Sequence, residues 1–512
     1  MADWRYEEHL RTPEGLGELP DGGHDGVAGG AACGDLVRIV VAVSGPRVAD
    51  AGFVAEGCGA LTVCGSVAVG LLRGATVRDA ARISIDTVAD EVGGLHPGKR
   101  HAAELVVDAL HRALGTAVAA DGSPGVAGTA RPGPRTSAPG DDPGTRPVDG
   151  RSAPSASEDP GPSLDDGPTL VAMSGGVDSA VAALKAGPGA VAVTLELWRD
   201  PANDAESSCC SHAAVRRARD LAHRMGLPHL TLDLRDAFRA GVVDPWIAEH
   251  RAGRTPNPCV RCNGEVRLDA MLDLADRLGC ATLTTGHYAR TTDDGLLRLA
   301  ADPGKDQAYM LSALDRASIA RMRFPLGRLT KFRVREIAEE AGLPVARTPD
   351  SQDLCFLAGT RSSAFLATHG GLDATPGPVT DADTGEVVGE HRGAHLYTLG
   401  QRRGLGVAAG EPRYVVATDV VTNTVTIGPR ERLLTDRVEL HDLILHRDAA
   451  RVDGVKLRYR QQPRSARVVV APDPGERGHG VVVLRDPLVR AAPGQAAMLL
   501  EGDVVVGSGT LA

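Results

Sequence analysis

Leu170-Val171-Ala172-Met173 runs directly into Ser174-Gly175-Gly176-Val177-Asp178-Ser179, and the reading of this stretch decides the fold. The apolar run reads as a buried strand, the alanine-rich stretch from Ala180 to Lys185 as an amphipathic helix, and the glycines between them as the joining turn. Adjacent glycines let backbone N–H groups converge where a Cβ would intrude. The helix N-terminus adds its positive end, and Ser174 and Ser179 can donate hydroxyl hydrogen bonds. The turn is therefore a phosphate cradle, and ATP is the expected ligand. It lacks the Lys-Ser/Thr ending of the Walker loop.

Working outward, strand-like and helical patterns alternate. Strands are expected at 169–173, 190–196, 229–233 and 282–285, with helices up to 185 and at 213–225 and 264–278. That alternation predicts a doubly wound parallel sheet, with the cradle at the carboxyl end of its first strand. Beyond about residue 357 the pattern changes to short strands with Gly, Asp and Pro turns, and 438–512 reads as all-β, a small barrel. In the other direction, 121–167 is rich in Pro, Gly, Ser and Asp with almost no large apolar residue, which reads as a disordered linker. It is expected to separate a small unit from everything after it. That unit carries strand patterns at 36–43 and 48–56 and helical spacing at 61–72, 76–88 and 101–114. The fold class is multidomain α/β: an α+β unit (1–119), the linker (120–167), a doubly wound parallel-sheet ATPase domain (168–357), a small central domain (358–430) and a C-terminal β-barrel (431–512).

The 512 residues, 42% hydrophobic, suffice for several cores. A formal charge of −10 argues against a general nucleic-acid coat but leaves room for a local basic surface. The start, MADWRYEEHL, has no basic-then-apolar leader, and no long apolar run suggests a membrane span, so a cytoplasmic protein without membrane association is expected. Nine cysteines fit reduced thiols for catalysis or metal better than a disulfide framework.

Cys259 and Cys262 lie in Thr255-Pro-Asn-Pro-Cys-Val-Arg-Cys-Asn263, and Cys355 lies in Pro349-Asp-Ser-Gln-Asp-Leu-Cys-Phe356. The pair could be buried small residues, ligands of zinc or an iron–sulfur cluster, or redox and sulfur-transfer thiols. ATP favours the last. Adenylating a carbonyl oxygen makes it a leaving group, a persulfide sulfur can replace it, and a second thiolate can release that sulfur as a disulfide forms.

Together these segments resemble the MnmA family of tRNA 2-thiouridylases, PP-loop enzymes. The resemblance runs through SGGVDS (174–179), TPNPCVRCN (255–263), TGHYAR (285–290), KDQAYML (305–311), FPLG (324–327), DSQDLCF (350–356) and YTLGQRRGLG (397–406). It implies ATP- and Mg²⁺-dependent replacement of the C2 oxygen of wobble uridine 34 by sulfur. Cys262 is then the nucleophile and Cys355 the persulfide carrier. Cys259 stands where the family often has aspartate, and Cys259, Cys262 and Cys355 could instead hold a [4Fe–4S] cluster. ATP would meet Ser174, Gly175, Gly176, Val177, Asp178, Ser179, Leu195 and Gly286. tRNA would meet His287, Lys305, Asp306, Gln307, Arg458, Tyr459 and Gln495, with Arg458 to Gln462 otherwise readable as a plain strand. The segment after Asn263, Gly264-Glu-Val-Arg-Leu268, departs from the lysine-containing family pattern.

Cys209-Cys210 are more ordinary thiols than ligands in this reading, Cys280 is assigned to the core, and Arg216, Arg217 and Arg219 to a solvated face or a phosphate stripe. In the N-terminal unit, Cys33-Gly34-Asp35, Cys58-Gly59 and His101 resemble the IscU/NifU iron–sulfur scaffold, but Ala102 replaces its final cysteine. Cys33, Asp35, Cys58 and His101 could hold zinc or a cluster, relay sulfur from a cysteine desulfurase or other persulfide donor, or belong to a docking module. Cys64 is expected in the core. Two other functions share the cradle: a ligase of the argininosuccinate or asparagine synthetase type, and a nucleotide-binding iron–sulfur assembly protein.

Overall fold

Alternating burial along Leu36–Ser44 fixes one face of a strand against a core, and Arg47–Glu56 pairs with it antiparallel. The computed structural model describes residues 4–29, 34–120, 167–200, 211–350, 354–357, 359–407 and 411–512. In it, β1 (His24–Gly29), β2 (Leu36–Ser44) and β3 (Arg47–Glu56) form a three-stranded antiparallel sheet. A short helix, Trp4–Arg11, precedes them; α1 (Gly59–Leu72) and α2 (Arg100–Ala120) pack on the sheet. The single helix expected over 76–88 is two, Val77–Ala80 and Ile85–Glu91, because Ser84 starts the second with a reciprocal capping box to Thr87. Strand β1 and the Trp4–Arg11 helix lack a strong apolar period and were not legible in the sequence.

The parallel-sheet domain holds β4 (Thr169–Ala172), β5 (Val191–Glu196), β6 (His229–Asp233) and β7 (Thr282–Thr284), all parallel, with Met322–Arg323 as a fifth strand beyond β7. The order Met322–Arg323, β7, β4, β5, β6 reverses direction between β4 and β7. That is the switch point at which doubly wound sheets bind ligands. Helices α3 (Val177–Ala186) and α4 (His212–Arg224) follow β4 and β5, and α5 (Lys331–Glu340) packs on α3.

Residues 377–428 contribute a four-stranded sheet, and 434–511 a closed barrel of six strands sealed by pairing of Leu434–Leu445 with Val504–Leu511. A hairpin of the ATPase domain, Arg290–Thr291 with Leu297–Arg298, adds to the barrel wall at Val504. No described helix is long and apolar enough to cross a membrane.

The N-terminal lobe is docked rather than held apart, which corrects the expectation of a separated unit. Its core is continuous with that of the parallel sheet. Helix α2 lies along the edge strand β6, where the carbonyl of Thr231 comes so close to Gly115 that a Cβ would meet it at 1.9 Å. The Ala81 carbonyl accepts the His229 N–H at 2.8 Å, so the lobe covers an otherwise open sheet edge. The stretch read as the linker lies outside the described residues apart from Ala120 and Gly167, as do Cys33, Cys209 and Cys210.

Candidate nucleotide and thiol site

The cradle is built as its glycines require. Gly175 adopts φ +75, a conformation side chains disfavour, and Gly176 caps α3 with its N–H groups open toward the loop. Ser179 Oγ accepts from the Ser174 amide at 3.1 Å and donates to the Gly176 carbonyl at 3.0 Å, which fixes the turn. Gly286, just beyond β7, lies on this helix start: a Cβ there would be 2.8 Å from Asp178 C and Ser179 N. Leu195 is buried near the end of β5. Thus Ser174 to Ser179 and Gly286 converge at the switch point.

Asp178, in the first turn of α3, accepts from Tyr288 Oη at 2.8 Å and pairs through both oxygens with Lys331 Nζ at 2.7 Å. Burial, then the neighbouring Asp178, pushes the Tyr288 hydroxyl strongly up, so it remains a donor. His287 pairs Nδ1 with Thr285 Oγ1 at 2.9 Å; burial, reinforced by Arg267, lowers the imidazole to about 3 and keeps it neutral.

Cys259 and Cys262 sit on a short helix, Pro258–Cys262, whose first turn is capped by Asn257 Oδ1 accepting from the Cys259 and Val260 amides. Cys262 is buried, whereas Cys259 and Cys355 are half-buried. The helix expected over 264–278 opens with a π turn at Asn263–Arg267 before Leu268–Arg277. Asn263 donates to the Met310 carbonyl at 3.1 Å, and its buried Oδ1 has no partner among the described residues. The barrel clamps the approach to the thiols. Thr255 N donates to the Pro493 carbonyl at 3.0 Å, and Gln495 Nε2 donates to the Thr255 carbonyl.

Arg458 to Gln461 form a turn after the strand Gly454–Lys456, which corrects the plain-strand alternative. Arg458 and Arg460 are exposed, and with Arg430 and Arg464 they line a groove of about 420 Å³. The half-buried Tyr459 lies near enough to Cys259 for that thiol to contribute to raising its hydroxyl, after burial and Asp306. Lys305, Asp306 and Gln307 have internal partners: Lys305 pairs with Asp350 at 2.6 Å, and Gln307 Oε1 accepts from the Tyr288 amide at 2.9 Å. Asp306 is buried on Lys456 of the barrel at 3.1 Å, a link between domains rather than a surface offered to a ligand.

Of the α4 arginines, Arg216 and Arg217 are exposed, as expected of a solvated face, and Arg219 is not. Arg219, 1% exposed, pairs with Asp108 of α2 at 3.1 Å, Arg216 reaches Glu104 at 3.6 Å, and Arg217 Nε donates to the Gly175 carbonyl at 3.1 Å. Cys64 is buried, which pushes its thiol up to about 12. Cys280 is buried too, with Arg78 of the lobe 3.8 Å from its sulfur.

In the lobe, Asp35, Cys58 and His101 meet. Asp35 Oδ2 lies 3.0 Å from His101 Nε2 and 3.5 Å from Cys58 Sγ, and Oδ1 accepts the Cys58 amide at 3.0 Å. Burial would raise the Asp35 carboxyl, but these hydrogen bonds outweigh it and hold the carboxyl low. Gly57, at φ +144, permits the approach, since a Cβ would stand 2.1 Å from Asp35 Oδ1. Among the described residues this is the only set of three His, Cys, Asp or Glu ligand atoms within 4.8 Å of one another; Cys259, Cys262 and Cys355 form no such set. A carboxylate, a thiol and an imidazole together suit Zn²⁺ or iron.

The sequence reading missed Lys331, Tyr288, Arg430 and Arg464. The signal available for Lys331 was its place immediately after a helix-capping Thr330.

Four family profiles match along the chain: NifU-like N terminal domain (5–119), tRNA methyl transferase HUP domain (168–359), tRNA methyl transferase PRC-barrel domain (363–429) and Aminomethyltransferase beta-barrel domain (441–511). The chain is similar to the bifunctional protein NifU/MnmA of Rubrobacter xylanophilus, at 38% identity over 99% of this chain and 98% of that protein. It is also similar to the tRNA-specific 2-thiouridylases MnmA of Salinispora tropica (44% identity, 67% of this chain, 98% of that one) and Thermus thermophilus (42%, 67% and 94%).

Proposed function

The chain belongs to the MnmA family of tRNA-specific 2-thiouridylases, in the form joined to a NifU-like domain, and from that premise we propose how its residues make 2-thiouridine in tRNA. Membership of this family sets aside the ligase and the purely assembly-protein readings.

ATP binds at Ser174 to Ser179, with Gly286 admitting it to the helix N-terminus and the backbone of Leu195 receiving adenine. Asp178 is the residue to hold Mg²⁺, which neutralises pyrophosphate charge. The C2 oxygen of wobble uridine 34 attacks the α-phosphate, releasing pyrophosphate. The terminal sulfur of a Cys355 persulfide then bonds to C2 and AMP departs with the oxygen. Cys262 thiolate attacks Cys355 Sγ, the persulfide bond breaks with its electrons passing to the C2 sulfur, and a Cys262–Cys355 disulfide remains for a dithiol reductant. Adenylation at the cradle supplies the leaving group that a persulfide sulfur displaces, which favours the persulfide route over a [4Fe–4S] centre. The exposed Arg458, with Tyr459 and Gln495 beside the thiol segment, is assigned to tRNA, where arginine serves phosphate and tyrosine can stack.

The lobe's Asp35, Cys58 and His101 are assigned to Zn²⁺ or an iron–sulfur cluster, which when bound keeps the Cys58 sulfur deprotonated. The gathering of these three groups carries this reading, and a cysteine desulfurase is the persulfide source proposed for the enzyme.

The observation that carries the whole is the phosphate cradle at the switch point in a chain whose barrel grips the cysteine segment. In the test, the full chain is incubated with ATP, a persulfide donor and unmodified tRNA, and nucleosides are read by mass spectrometry. Cys355→Ala and Cys262→Ala should abolish 2-thiouridine and leave ATP binding intact; thiolation by both variants would refute the roles assigned.

A further inference from the structure

A row of alternating charges leads away from the phosphate cradle. Lys331 Nζ touches both oxygens of Asp178 at 2.7 Å and Asp350 Oδ1 at 2.7 Å; Asp350 also pairs with Lys305 at 2.6 Å and Arg335 at 3.0 Å. Three cations thus face two carboxylates beside a loop already lined by N–H donors. Lys331 is enclosed, with 13% of its side chain exposed, so its ammonium is aimed by the fold rather than free to wander. Its position is also electrostatically awkward. It opens α5, whose first turn contains no acidic residue, so a cation stands at the positive end of a helix dipole. Such a placement is relieved by an anion, and Asp178 supplies it.

We propose that Lys331 is a phosphate-binding residue of the nucleotide site: it exchanges Asp178 for the β- and γ-phosphates of Mg·ATP while Asp350 keeps it aimed. The exchange leaves no charge uncompensated. Asp178 turns from Lys331 to Mg²⁺ and retains Tyr288 Oη, Lys331 turns to phosphate, and Asp350 retains Lys305 and Arg335. This inference rests on the cradle binding ATP, and it adds the cation that the SGGVDS turn itself lacks.

The test uses the full chain and calorimetry with Mg²⁺ and three ligands: a non-hydrolysable β,γ-imido ATP analogue, inorganic pyrophosphate and AMP. Lys331→Ala should weaken the ATP analogue and pyrophosphate about tenfold or more, the usual reach of a hydrogen bond to a charged group, and leave AMP unchanged. Lys331→Arg should recover most of the loss. Lys331→Gln, which keeps the side chain's bulk, serves if the alanine variant does not fold. Equal weakening of AMP and the ATP analogue would reveal a merely structural lysine and overturn the proposal, as would no change in either. If the unaltered chain binds neither the ATP analogue nor pyrophosphate, the ATP reading itself has failed.

Discussion

Gly286 compresses the nucleotide chemistry into one missing methyl group. A Cβ at this position would stand 2.8 Å from backbone atoms of Asp178 and Ser179, neither of which can swing aside as a side-chain tip could. Gly286→Ala must therefore push the segment after β7 away from the start of α3, at about 1–3 kcal/mol of strain. We expect a drop in melting temperature, and a roughly tenfold loss of affinity for an ATP analogue if about 1.4 kcal/mol of that strain is relieved by opening the cradle. Calorimetric titration beside a melting curve checks both, and unchanged affinity would mean that the nucleotide does not use this contact. The Gly-His pair was legible in the sequence as a motif, but the reason for its glycine was not. That reason lies in the approach of two strands' ends separated by more than a hundred residues, information that no local pattern carries.

At the scale of elements, the alternation of strand and helix announced the parallel sheet, because strands buried on both faces must read as apolar runs. What stayed hidden was partnership between elements. Arg216 and Arg217 of α4 are exposed, as a helix rich in charge ordinarily is, yet Arg219 is buried on Asp108 and Arg217 also reaches Gly175. The same partner explains α2. This helix carries His101 in its first turn, then presents Asp108, Arg112 and Gly115 to the ATPase domain, where Arg112 pairs with Glu196 at 2.7 Å. Removing one member of a buried ion pair leaves the other charge uncompensated, which costs about 3–5 kcal/mol. Arg112 also contacts Asp108, at 3.3 Å, so the lower end of that range applies to Arg219→Met. Denaturant unfolding should show a loss of about 3 kcal/mol, and proteases should cut between lobe and ATPase domain faster than in the unaltered chain. Full stability in the variant would show that the pair adds nothing to docking.

For the molecule as a whole, docking makes the lobe a wall against the parallel sheet, and the wall contains a proton-sensitive seam. His111 Nε2 must donate to the Ile83 carbonyl at 3.0 Å, so its Nδ1 accepts from His229 Nδ1 at 3.2 Å, and His229 Nε2 in turn accepts from the Thr194 hydroxyl at 2.9 Å. Every member of this chain is neutral, and His223 stacks edge-on against His111 at 5.1 Å. Burial is the main cause that lowers all three imidazoles; for His223 the value is about 4, with Arg219 adding to the effect. In the unfolded chain the same groups take up protons near pH 6.5, so the unfolded state binds more protons below that point. Stability is therefore fully present above about pH 6.5 and falls as the pH drops toward 4, by about 2 kcal/mol at pH 5 for His223 alone. Calorimetric unfolding of the full chain at pH 7.5, 6 and 5 should show the unfolding of the lobe and the parallel sheet moving down together, because they share one core. His223→Gln should flatten that dependence by about 2 kcal/mol between pH 7.5 and 5. A dependence as steep as in the unaltered chain would mean that the acid sensitivity arises elsewhere and that the seam does not govern docking.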